Sequence, residues 1–538
     1  MRCLKVLGLF AASIAVWACE KEKVQPAPPS PELLSVQVTS QEIEIPKGGS
    51  ADILFTVEEK DFSFGLAHDV TLYPSSDDFT LKEISPQGEG SYVAVVEDNG
   101  LDASYEHSVR LGVREEAGTN IFLFSSSFTL RRKKPDPEDL IVKTGLPIVY
   151  VQTENEVPIV SKTDYVSAGL SIRSADGNLD VKGLTCSVRG RGNTTWWWPK
   201  KPYLIKLDKK ERLLGMPKHK RWILLANFMD RTLMRNLVSM KVSSLTGLEW
   251  TPRCQPVELV LNGKHMGSYL LIEQVRVDKS RVNIAEMTAE DNSGEAVTGG
   301  YLLESDFHYD NEVQWIDEHG KCVQMASGIP FGVKYPDPED ITASQLEYIK
   351  KYISDTAEAI YGPNFADPEE GYAKYIDVDS FVNYWIVFEV MGNHELSNPG
   401  SVYFHKDRGE KLKAGPCWDF DWGVLSYNTS PQAKTGLLNH KAIWYARLFE
   451  DPAFKEKVKT RFMELLPLLE TIPDYMDEMQ EKLYDSAGCN FRMWDPAQDA
   501  SQNGGNIING DENLSFPNAV ARLRSIYQER LQVIAASL

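Results

Sequence analysis

The sequence predicts an α+β protein, because strand-forming segments fill the first part of the chain and helix-forming segments fill the last. Short apolar runs with period-two alternation and turn signals continue to about residue 307. From residue 342 onward, apolar residues recur mainly with the period of an α-helix. A strand-rich region followed by a helix-rich region is typical of the α+β class.

The first 18 residues have the pattern of a signal peptide. Arg2 and Lys5 precede an apolar run at residues 6–18, which is shorter than the roughly 20 residues of a permanent membrane helix. The run ends in a small residue, Ala18, followed by Cys19, which resembles a lipobox. We therefore expect cleavage before Cys19, lipid on that cysteine, and a protein anchored in the cell envelope at the outer membrane. The alternative is an ordinary signal peptide with an incidental cysteine.

Residues 19–31 are charged and then proline-rich, which is typical of a stiff spacer rather than a packed domain. Alternating apolar segments between residues 32 and 134, with turn signals at residues 46–49 and 98–100, predict a small antiparallel, immunoglobulin-like β-sandwich. Nothing in this region has a catalytic pattern. We expect a spacer or adhesion module ahead of the main domain.

Composition excludes one class of partner. The chain has 538 residues and a formal net charge of −20, which becomes −22 when the two cations of the signal peptide are removed. Such a charge argues against nucleic acid, whose phosphates would be repelled. Five cysteines remain beyond Cys19, widely spaced and without a Cys-x-x-Cys pair, so at least one is a free thiol or forms an intermolecular bond.

Residues 141–538 form the main predicted domain, with a β-rich lobe at about 141–307 and a helical lobe at about 340–538. A hairpin is predicted at residues 256–273, where Asn262-Gly263 supplies the turn. Helices are predicted at residues 231–245, 345–360, 378–391, 454–469 and 518–536.

Three clusters in this domain have a pattern that indicates chemistry. In the first, Arg189, Gly190, Arg191, Gly192 and Asn193 follow a predicted strand. Glycine allows close approach of the backbone to a phosphate, and arginine binds phosphate through two hydrogen bonds. Taken alone, the pattern is more typical of an ordinary hairpin turn.

The second cluster is a lysine on an apolar strand. Lys206 lies on the face opposite to Ile205 and Leu207. A lysine at such a position requires a partner or a ligand phosphate, unless that face of the strand is solvated.

The third cluster combines Gly392-Asn393-His394-Glu395 with Trp418-Asp419-Phe420-Asp421-Trp422. Carboxylates flanked by large aromatic residues are costly to bury without a partner. Mg²⁺ bound by these carboxylates, with phosphate oxygens completing its coordination, would remove that cost. The alternative is a pair of structural carboxylates that cap a turn or meet arginines.

The three clusters follow one another in the order found in kinases: a glycine-rich turn, a strand lysine, an acidic segment and an Asp-Phe segment. The His-Arg-Asp loop of standard protein kinases is missing from the sequence. Four segments resemble the CotH family of spore-coat and secreted atypical kinases. They are residues 189–236, beginning RGRGNTTWW; 257–275, VELVLNGKHMGSYLLIEQV; 299–306, GGYLLESD; and 402–423, ending WDFDWG.

The resemblance implies an atypical, protein-kinase-like bilobal fold over roughly residues 145–470 that uses ATP with Mg²⁺ or Mn²⁺. It implies that Lys206 contacts the α- and β-phosphates and that the Arg189–Asn193 turn covers the nucleotide. Glu273 and Gln274 would lie near the hinge beside the adenine. Arg235 would contact phosphate or pair with a carboxylate such as Asp419 or Glu273.

For the metal, the resemblance implies Asp419 as a ligand, supported by Asp421, with Asn393 and Asn398 as alternative further ligands. The catalytic base is where the sequence departs from the family, since much of the family has aspartate at the position of Glu395. Glutamate places its carboxylate about one methylene further out, and a displacement of about 1 Å can cost on the order of a hundredfold in rate. A weak kinase, an altered acceptor and a nucleotide-binding pseudokinase all remain open.

The sequence thus predicts a monomeric, lipid-anchored kinase that phosphorylates serine or threonine in an extracytoplasmic protein, or, less in keeping with the family, a glycan. The alternative is a non-catalytic surface protein that binds protein or glycan on the same fold. An extracytoplasmic kinase also requires a source of ATP outside the cytoplasm.

Overall fold

A computed structural model describes most of the chain after residue 31. The described residues are 32–46, 48–60, 69–75, 78–99, 106–114, 122–132, 138, 140–307, 313–320, 322, 328–497 and 508–538. The predicted signal peptide, Cys19 and the spacer lie outside them. The chain divides into two compact units, residues 1–135 and 136–538.

The first unit is built from two sheets around one apolar core. Its strands are β1 Glu32–Val38, β2 Glu42–Ile45, β3 Ser50–Lys60, β4 Asp69–Tyr73, β5 Phe79–Gly88, β6 Ser91–Asp98, β7 Glu106–Arg114, β8 Phe122–Phe124 and β9 Phe128–Arg132. One sheet has the order β1-β3-β6-β5 and the other β2-β9-β7-β4, with β8 beside β7. In β6, buried and partly exposed residues alternate, as the period-two pattern predicts. The pair β2–β9 is parallel, so the unit is not purely antiparallel.

The second unit begins with a closed seven-stranded barrel. Its strands are β10 Ile148–Thr153, β11 Val166–Arg173, β12 Val181–Gly190, β13 Tyr203–Glu211, β14 His219–Leu225, β15 Cys254–Leu261 and β16 Lys264–Glu273. Closure comes from a parallel pairing of β10 with β15. The predicted hairpin is β15–β16, and Asn262 and Gly263 both have positive φ angles at its turn.

A second, five-stranded sheet follows the barrel. It comprises β17 Tyr301–Ser305, β18 Gln314–Asp317, β19 Ile329–Tyr335, β20 Val402–Lys406 and β21 Lys413–Ala414, in the order β18-β19-β17-β20-β21. Strand β20 is contributed by the helical half of the chain and pairs with β17 from the β-rich half. The two halves of the sequence are therefore joined within one sheet.

The helices lie mainly after residue 340, which confirms the α+β class. They are α1 Thr194–Trp197, α2 Arg235–Leu245, α3 Ala343–Tyr361, α4 Val378–Val390, α5 Tyr445–Leu448, α6 Pro452–Leu469, α7 Ile472–Met493 and α8 Phe516–Ser537. Four of the predicted helices agree with α3, α4, α6 and α8 within two residues at each end. The predicted helix at 231–245 begins four residues later, as α2, because Asp230 and Thr232 form a hydrogen-bonded turn there instead.

Helix α4 is the central element of the helical half. Phe381 and every residue from there to Val390 are buried, so this part of the helix is buried on all sides. It includes one buried carboxylate, Glu389, whose Oε1 accepts a hydrogen bond of 2.5 Å from Arg530 of α8. The same Glu389 accepts hydrogen bonds from the backbone of residues 438 and 439. These contacts fix the C-terminal end of α4, where the predicted base segment begins.

Lys200 joins the barrel to helix α7 through hydrogen bonds. Its ammonium group is fully buried and donates to the carbonyl oxygens of Ala226 and Ser268 and to Oδ1 of Asn490, at 2.8 Å for Ala226 and Asn490. Asn490 Oδ1 also accepts from the backbone N–H of Ser268 at 3.2 Å. Three acceptors around one ammonium group offset the cost of burying its charge.

The five cysteines beyond Cys19 are free thiols. Within the described part of the chain, no helix is both long and apolar enough to span a membrane.

Candidate functional site

A cavity of about 890 Å³ separates the outer face of the barrel from the five-stranded sheet and the loops around it. Leu204, Ile223 and Leu225 line it on the barrel side, and Leu302 lines it on the sheet side. The segment directly after β16, residues 274–277, closes one edge. Cavities for nucleotide-sized ligands range over about 300–1,000 Å³, so the volume is sufficient for such a ligand.

The end of α4 places Glu395 in this cavity. The helix ends at Val390, and Gly392, two residues later, turns the chain with a φ of +60°. Asn393 then accepts a hydrogen bond from the backbone N–H of Glu395 through its Oδ1 at 2.8 Å. Its own carbonyl accepts from Asn439 Nδ2 at 2.9 Å, so the turn is held from both sides.

The segment after β21 places two further carboxylates in the cavity. Trp418 and Phe420 are buried, and Phe420 packs on Phe388 of α4 with ring centroids 4.8 Å apart. Asp419 and Asp421, between and after them, line the cavity. The backbone N–H of Phe420 donates to Oδ1 of Asn236 in α2 at 2.9 Å, which fixes the segment against the barrel half.

Four carboxyl groups thus meet in one place: Asp306, Glu395, Asp419 and Asp421. Burial raises the pKa of Glu395 well above its usual range, and the charges of Asp419, Asp421 and Asp306 raise it further. Burial, followed by the charge of Asp419, raises the pKa of Asp421 to about 7. The cluster therefore disfavours ionisation of Glu395 and Asp421 unless positive charge is brought close to them.

Arg191 is the cation that faces the cluster. Its guanidinium lies over the Trp418 ring, 5.5 Å from the centroid. Its charge acts on Asp421, whose pKa it lowers against the larger effects of burial and of Asp419. Two other carboxylates of the cavity wall have cations of their own, since Glu304 pairs with Lys334 at 2.7 Å and Asp230 pairs with Arg235.

The donor set fits a hard cation such as Mg²⁺, which prefers carboxylate and amide oxygens. Glu395 is only partly buried as a residue, but its Oε2 is buried, and so is Oδ1 of Asn398. Among the residues that the structure describes, neither oxygen has a hydrogen-bond partner. The described residues include no group of three or more His, Cys, Asp or Glu side chains arranged to hold a metal ion by themselves. A cation here would therefore need further ligands, such as water or phosphate oxygens.

The predicted glycine-arginine turn forms part of the cavity wall through Arg189, Arg191, Gly192 and Asn193. Gly192 has a φ of +87°, and a Cβ there would lie 2.0 Å from Oγ1 of Thr195, so only glycine fits.

Gly190 lies outside the lining, beneath the ring of Trp196, where a Cβ would lie 2.2 Å from the ring. The glycine therefore serves a close packing contact as well as the turn.

Besides Gly190, three residues predicted to bind the nucleotide are not part of the cavity lining. Lys206 lies on the outer face of β13, as the strand pattern predicts, but it is exposed to solvent near the ring of Tyr165. Glu273 is buried and paired with Arg253, whose Nε and Nη2 lie 2.8 and 3.0 Å from its carboxylate oxygens. The neighbouring Gln274 does line the cavity.

Arg235 is the third of these. It is fully buried and pairs with Asp230 and with Asp511. The Asp511 pairing is 2.6 Å long. Its Nε donates to the carbonyl of Val424 at 2.8 Å. The guanidinium is thus occupied by carboxylates other than the two named from the sequence.

Asp306 is a member of the cluster that sequence reasoning missed as a site residue. It directly follows β17 and accepts a hydrogen bond from the backbone N–H of Ser401 at 3.1 Å. A carboxylate immediately after a short strand that begins with three apolar residues was the available signal, because the ends of paired strands meet at one edge of a sheet.

Comparison with solved structures returns only weak likenesses, which carry no argument about this fold. Domains 4 and 5 of the S-layer protein SbsC match at 15% identity and a TM-score of 0.13, over 19% of this chain and 53% of that chain. The adhesin InvE of Yersinia pseudotuberculosis matches at 15% identity and a TM-score of 0.14, over 29% of this chain and 38% of that one. A marsupial T cell receptor matches at 10% identity and a TM-score of 0.14, over 32% of this chain and 90% of that chain.

No curated protein matches the chain. A family model does: the one described as CotH kinase protein matches residues 188–534. The match covers more than half of the 538 residues and includes the glycine-arginine turn and all four carboxylates of the cluster. The chain belongs to the CotH kinase protein family.

Proposed function

We propose that the protein is an atypical kinase that transfers the γ-phosphoryl group of ATP to a serine or threonine hydroxyl of an extracytoplasmic protein. Family membership supports a kinase-like function. The observation that carries the finer proposal is a cluster of carboxyl groups on the wall of a cavity large enough for a nucleotide, in which burial and neighbouring charges raise the pKa values of Glu395 and Asp421. Strongly raised pKa values of carboxyl groups in a cleft are typical of functional sites.

In this proposal the adenine binds between the apolar side chains Leu204, Ile223 and Leu302, next to the segment 274–277. The phosphates extend toward the carboxylate cluster. Arg191, rather than Lys206, is the cation closest to that end, because it lies over Trp418. Its planar guanidinium suits two phosphate oxygens at once.

Asp419, Asp421 and Asn398 would hold Mg²⁺ or Mn²⁺. The metal, when bound, supplies positive charge that stabilises the phosphoryl group in transit. Glu395 then accepts the proton of the acceptor hydroxyl, once positive charge offsets the neighbouring carboxylates. The hydroxyl oxygen forms the new bond to the γ-phosphorus as the bond to the bridging oxygen breaks, and ADP leaves with that oxygen.

Incubation of the purified protein with Mg²⁺ or Mn²⁺, γ-labelled ATP and a generic protein acceptor tests the proposal. We expect label on the protein or the acceptor and a nucleotide-dependent rise in melting temperature. Asp419→Asn should abolish transfer, whereas Glu481→Gln, at an exposed position of α7, should leave it unchanged. No transfer and no thermal shift would contradict the kinase proposal, while a thermal shift without transfer would support a pseudokinase.

We also propose that Cys19 anchors the protein in the outer membrane through lipid. Metabolic labelling with a palmitate analogue should mark the wild-type protein and not a Cys19→Ser variant. Label that persists in the variant would contradict the anchor.

A further inference from the structure

Three cations surround the ring of Tyr165 on the outer face of the barrel. The guanidinium carbons of Arg189 and Arg221 lie 5.2 and 6.0 Å from the ring centroid, and the ammonium group of Lys206 lies 6.0 Å from it. Nη1 of Arg221 also donates to the Tyr165 hydroxyl at 2.6 Å. Paired β-strands bring them together, since Lys206 on β13 lies opposite Arg221 on β14.

A fourth cation, Lys162, completes this group, which we call the basic rim: Lys162, Arg189, Lys206 and Arg221. The carbonyl of Lys162 accepts a hydrogen bond from Nη1 of Arg189. Within the part of the chain that the structure describes, no carboxylate forms an ion pair with any of the four. Four adjacent cations without carboxylate partners are unusual in a chain of net charge −20.

The basic rim adjoins the mouth of the cavity. Lys162 and Arg189 contribute to the cavity lining, whereas Lys206 and Arg221 lie further out on the same face. An anionic chain bound along the rim would therefore pass beside the cavity that contains Glu395. Clustered charge of one sign beside a cleft attracts ligands of the opposite sign and raises their rate of association.

Two exposed apolar side chains, those of Trp197 and Val160, belong to segments that meet at Gly190, beside the basic rim. Trp197 and Val160 are the most exposed large apolar residues of the described chain, at 83% and 76%. Each is adjacent to a residue that contacts Gly190. The carbonyl of Ser161 accepts from the Gly190 N–H at 2.8 Å, and the Trp196 ring covers the Gly190 Cα. Exposed apolar groups beside a charged patch favour a peptide as ligand.

We propose that the basic rim binds an acidic segment of the acceptor protein, in which an apolar side chain near the carboxylates contacts Trp197 or Val160. The identity of this ligand as the acceptor rests on the proposed kinase function. The two arginines suit carboxylates through paired hydrogen bonds, and the lysines add charge. The rim thus selects acceptors whose serine or threonine is flanked by aspartate and glutamate.

Fluorescence anisotropy tests the proposal without nucleotide. The probe is a short fluorescein-labelled peptide of glutamates around one leucine and one serine, and its control has glutamine in place of glutamate. We expect the acidic peptide to bind and the control peptide not to bind. The double variant Lys206→Glu/Arg221→Glu should lower the affinity by about tenfold or more, because it replaces two attractive charges by two repulsive ones.

The matched control is Lys182→Glu/Lys264→Glu, which makes the same charge change at two exposed positions of the same barrel. It should leave the affinity within about twofold of the wild type. A milder variant, Lys206→Gln/Arg221→Gln, keeps the test valid if the charge reversal prevents folding. Salt at about 0.5 M should weaken wild-type binding, because it screens surface charge.

Equal binding by the rim variant and the wild type would overturn the proposal. So would displacement of the peptide by Mg²⁺ and ATP in direct competition, which would assign the rim to the nucleotide. Binding to phosphatidylglycerol vesicles but not to the peptide would assign it to a membrane.

The nucleotide-dependent rise in melting temperature, measured for the wild type and for the rim variant, tests the kinase function separately from peptide binding. If the wild type shows no such rise but binds the peptide, the kinase proposal fails and the rim remains a binding surface. If both hold, the rim variant should raise KM for an acidic acceptor and leave kcat unchanged.

Discussion

Two groups of buried charges, both assembled from distant parts of the chain, are balanced in opposite ways. Arg235 meets Asp230 and Asp511, so one cation lies between two carboxylates and a carbonyl. At the cavity, burial and the charges of neighbouring carboxylates raise the pKa values of Glu395 and Asp421. In the first group, a cation of the protein itself lies between the two carboxylates. In the second group, carboxyl groups face one another, and we propose that a bound cation compensates their charge.

The largest expected effect comes from breaking the first group. Arg235→Met leaves two buried carboxylates without their cation, and we expect the free energy of unfolding to fall by about 3–5 kcal/mol. Urea denaturation followed by tryptophan fluorescence measures the change. Arg524→Met, which removes an exposed pairing with Asp477, should cost less than about 1 kcal/mol. Equal losses in the two variants would show that the Arg235 group is not structurally important.

Substitution in the second group, at the cavity, should lower activity rather than stability. Glu395→Gln removes a group whose ionisation is opposed by burial and by the neighbouring carboxylates, and it keeps the side-chain shape, so we expect no loss of stability. Phosphoryl transfer should fall by about 10²–10⁴-fold, the usual contribution of a general base. A steady-state assay measures the rate of phosphoryl transfer, and a melting curve measures the stability of the same variant. Glu395→Asp, which restores the residue of much of the family, tests whether the longer side chain limits the rate. A fully active Glu395→Gln enzyme would exclude Glu395 as the base.

A divalent cation should stabilise the protein through the carboxyl groups at the cavity. At a Mg²⁺ concentration tenfold above its dissociation constant, we expect the wild type to gain about 1.4 kcal/mol of stability. The gain should disappear in Asp419→Asn and on addition of EDTA. Differential scanning calorimetry measures it. An equal gain in Asp419→Asn would place the cation elsewhere.

The smallest expected effect, counted per pH unit, concerns pH in the absence of metal. The pKa of Asp421 is raised to about 7, so between about pH 4 and pH 7 the folded protein holds a proton that the unfolded chain releases. Stability should therefore fall as pH rises through this range, by about 1 kcal/mol per unit in its middle. Asp421→Asn should flatten the profile. A wild-type profile as flat as that of the variant would contradict the raised pKa.

The elements that could be predicted from the sequence are those that depend on neighbouring residues, through periodicity, helix caps or turn residues. Helices α3, α4, α6 and α8 and the hairpin β15–β16 have clear periodicity, caps or turn residues, and the sequence located each of them. Closure of the barrel was not predictable, because it depends on the parallel pairing of β10 with β15 across about a hundred residues. The same holds for β20, which pairs with β17 from the other half of the chain.

The candidate site was partly predictable for the same reason. The turn at residues 189–193 and the segment at 418–422 were recognised as motifs, and the structure brings them together at one cavity. The placement of Lys206 on the outer face of its strand agreed with the two-residue period, but the period does not say what that face meets. Asp306 and the basic rim were missed because their neighbours come from other strands.

The backbone of Asp419 limits which residues can replace it. Its φ of +62° lies in the left-handed region, which among ordinary residues only glycine, asparagine and aspartate adopt readily. Most single substitutions at this position should therefore strain the fold as well as remove the proposed metal ligand. Relatives that have lost phosphoryl transfer but kept a stable fold should show asparagine or glycine here, so that one position separates active from inactive lineages.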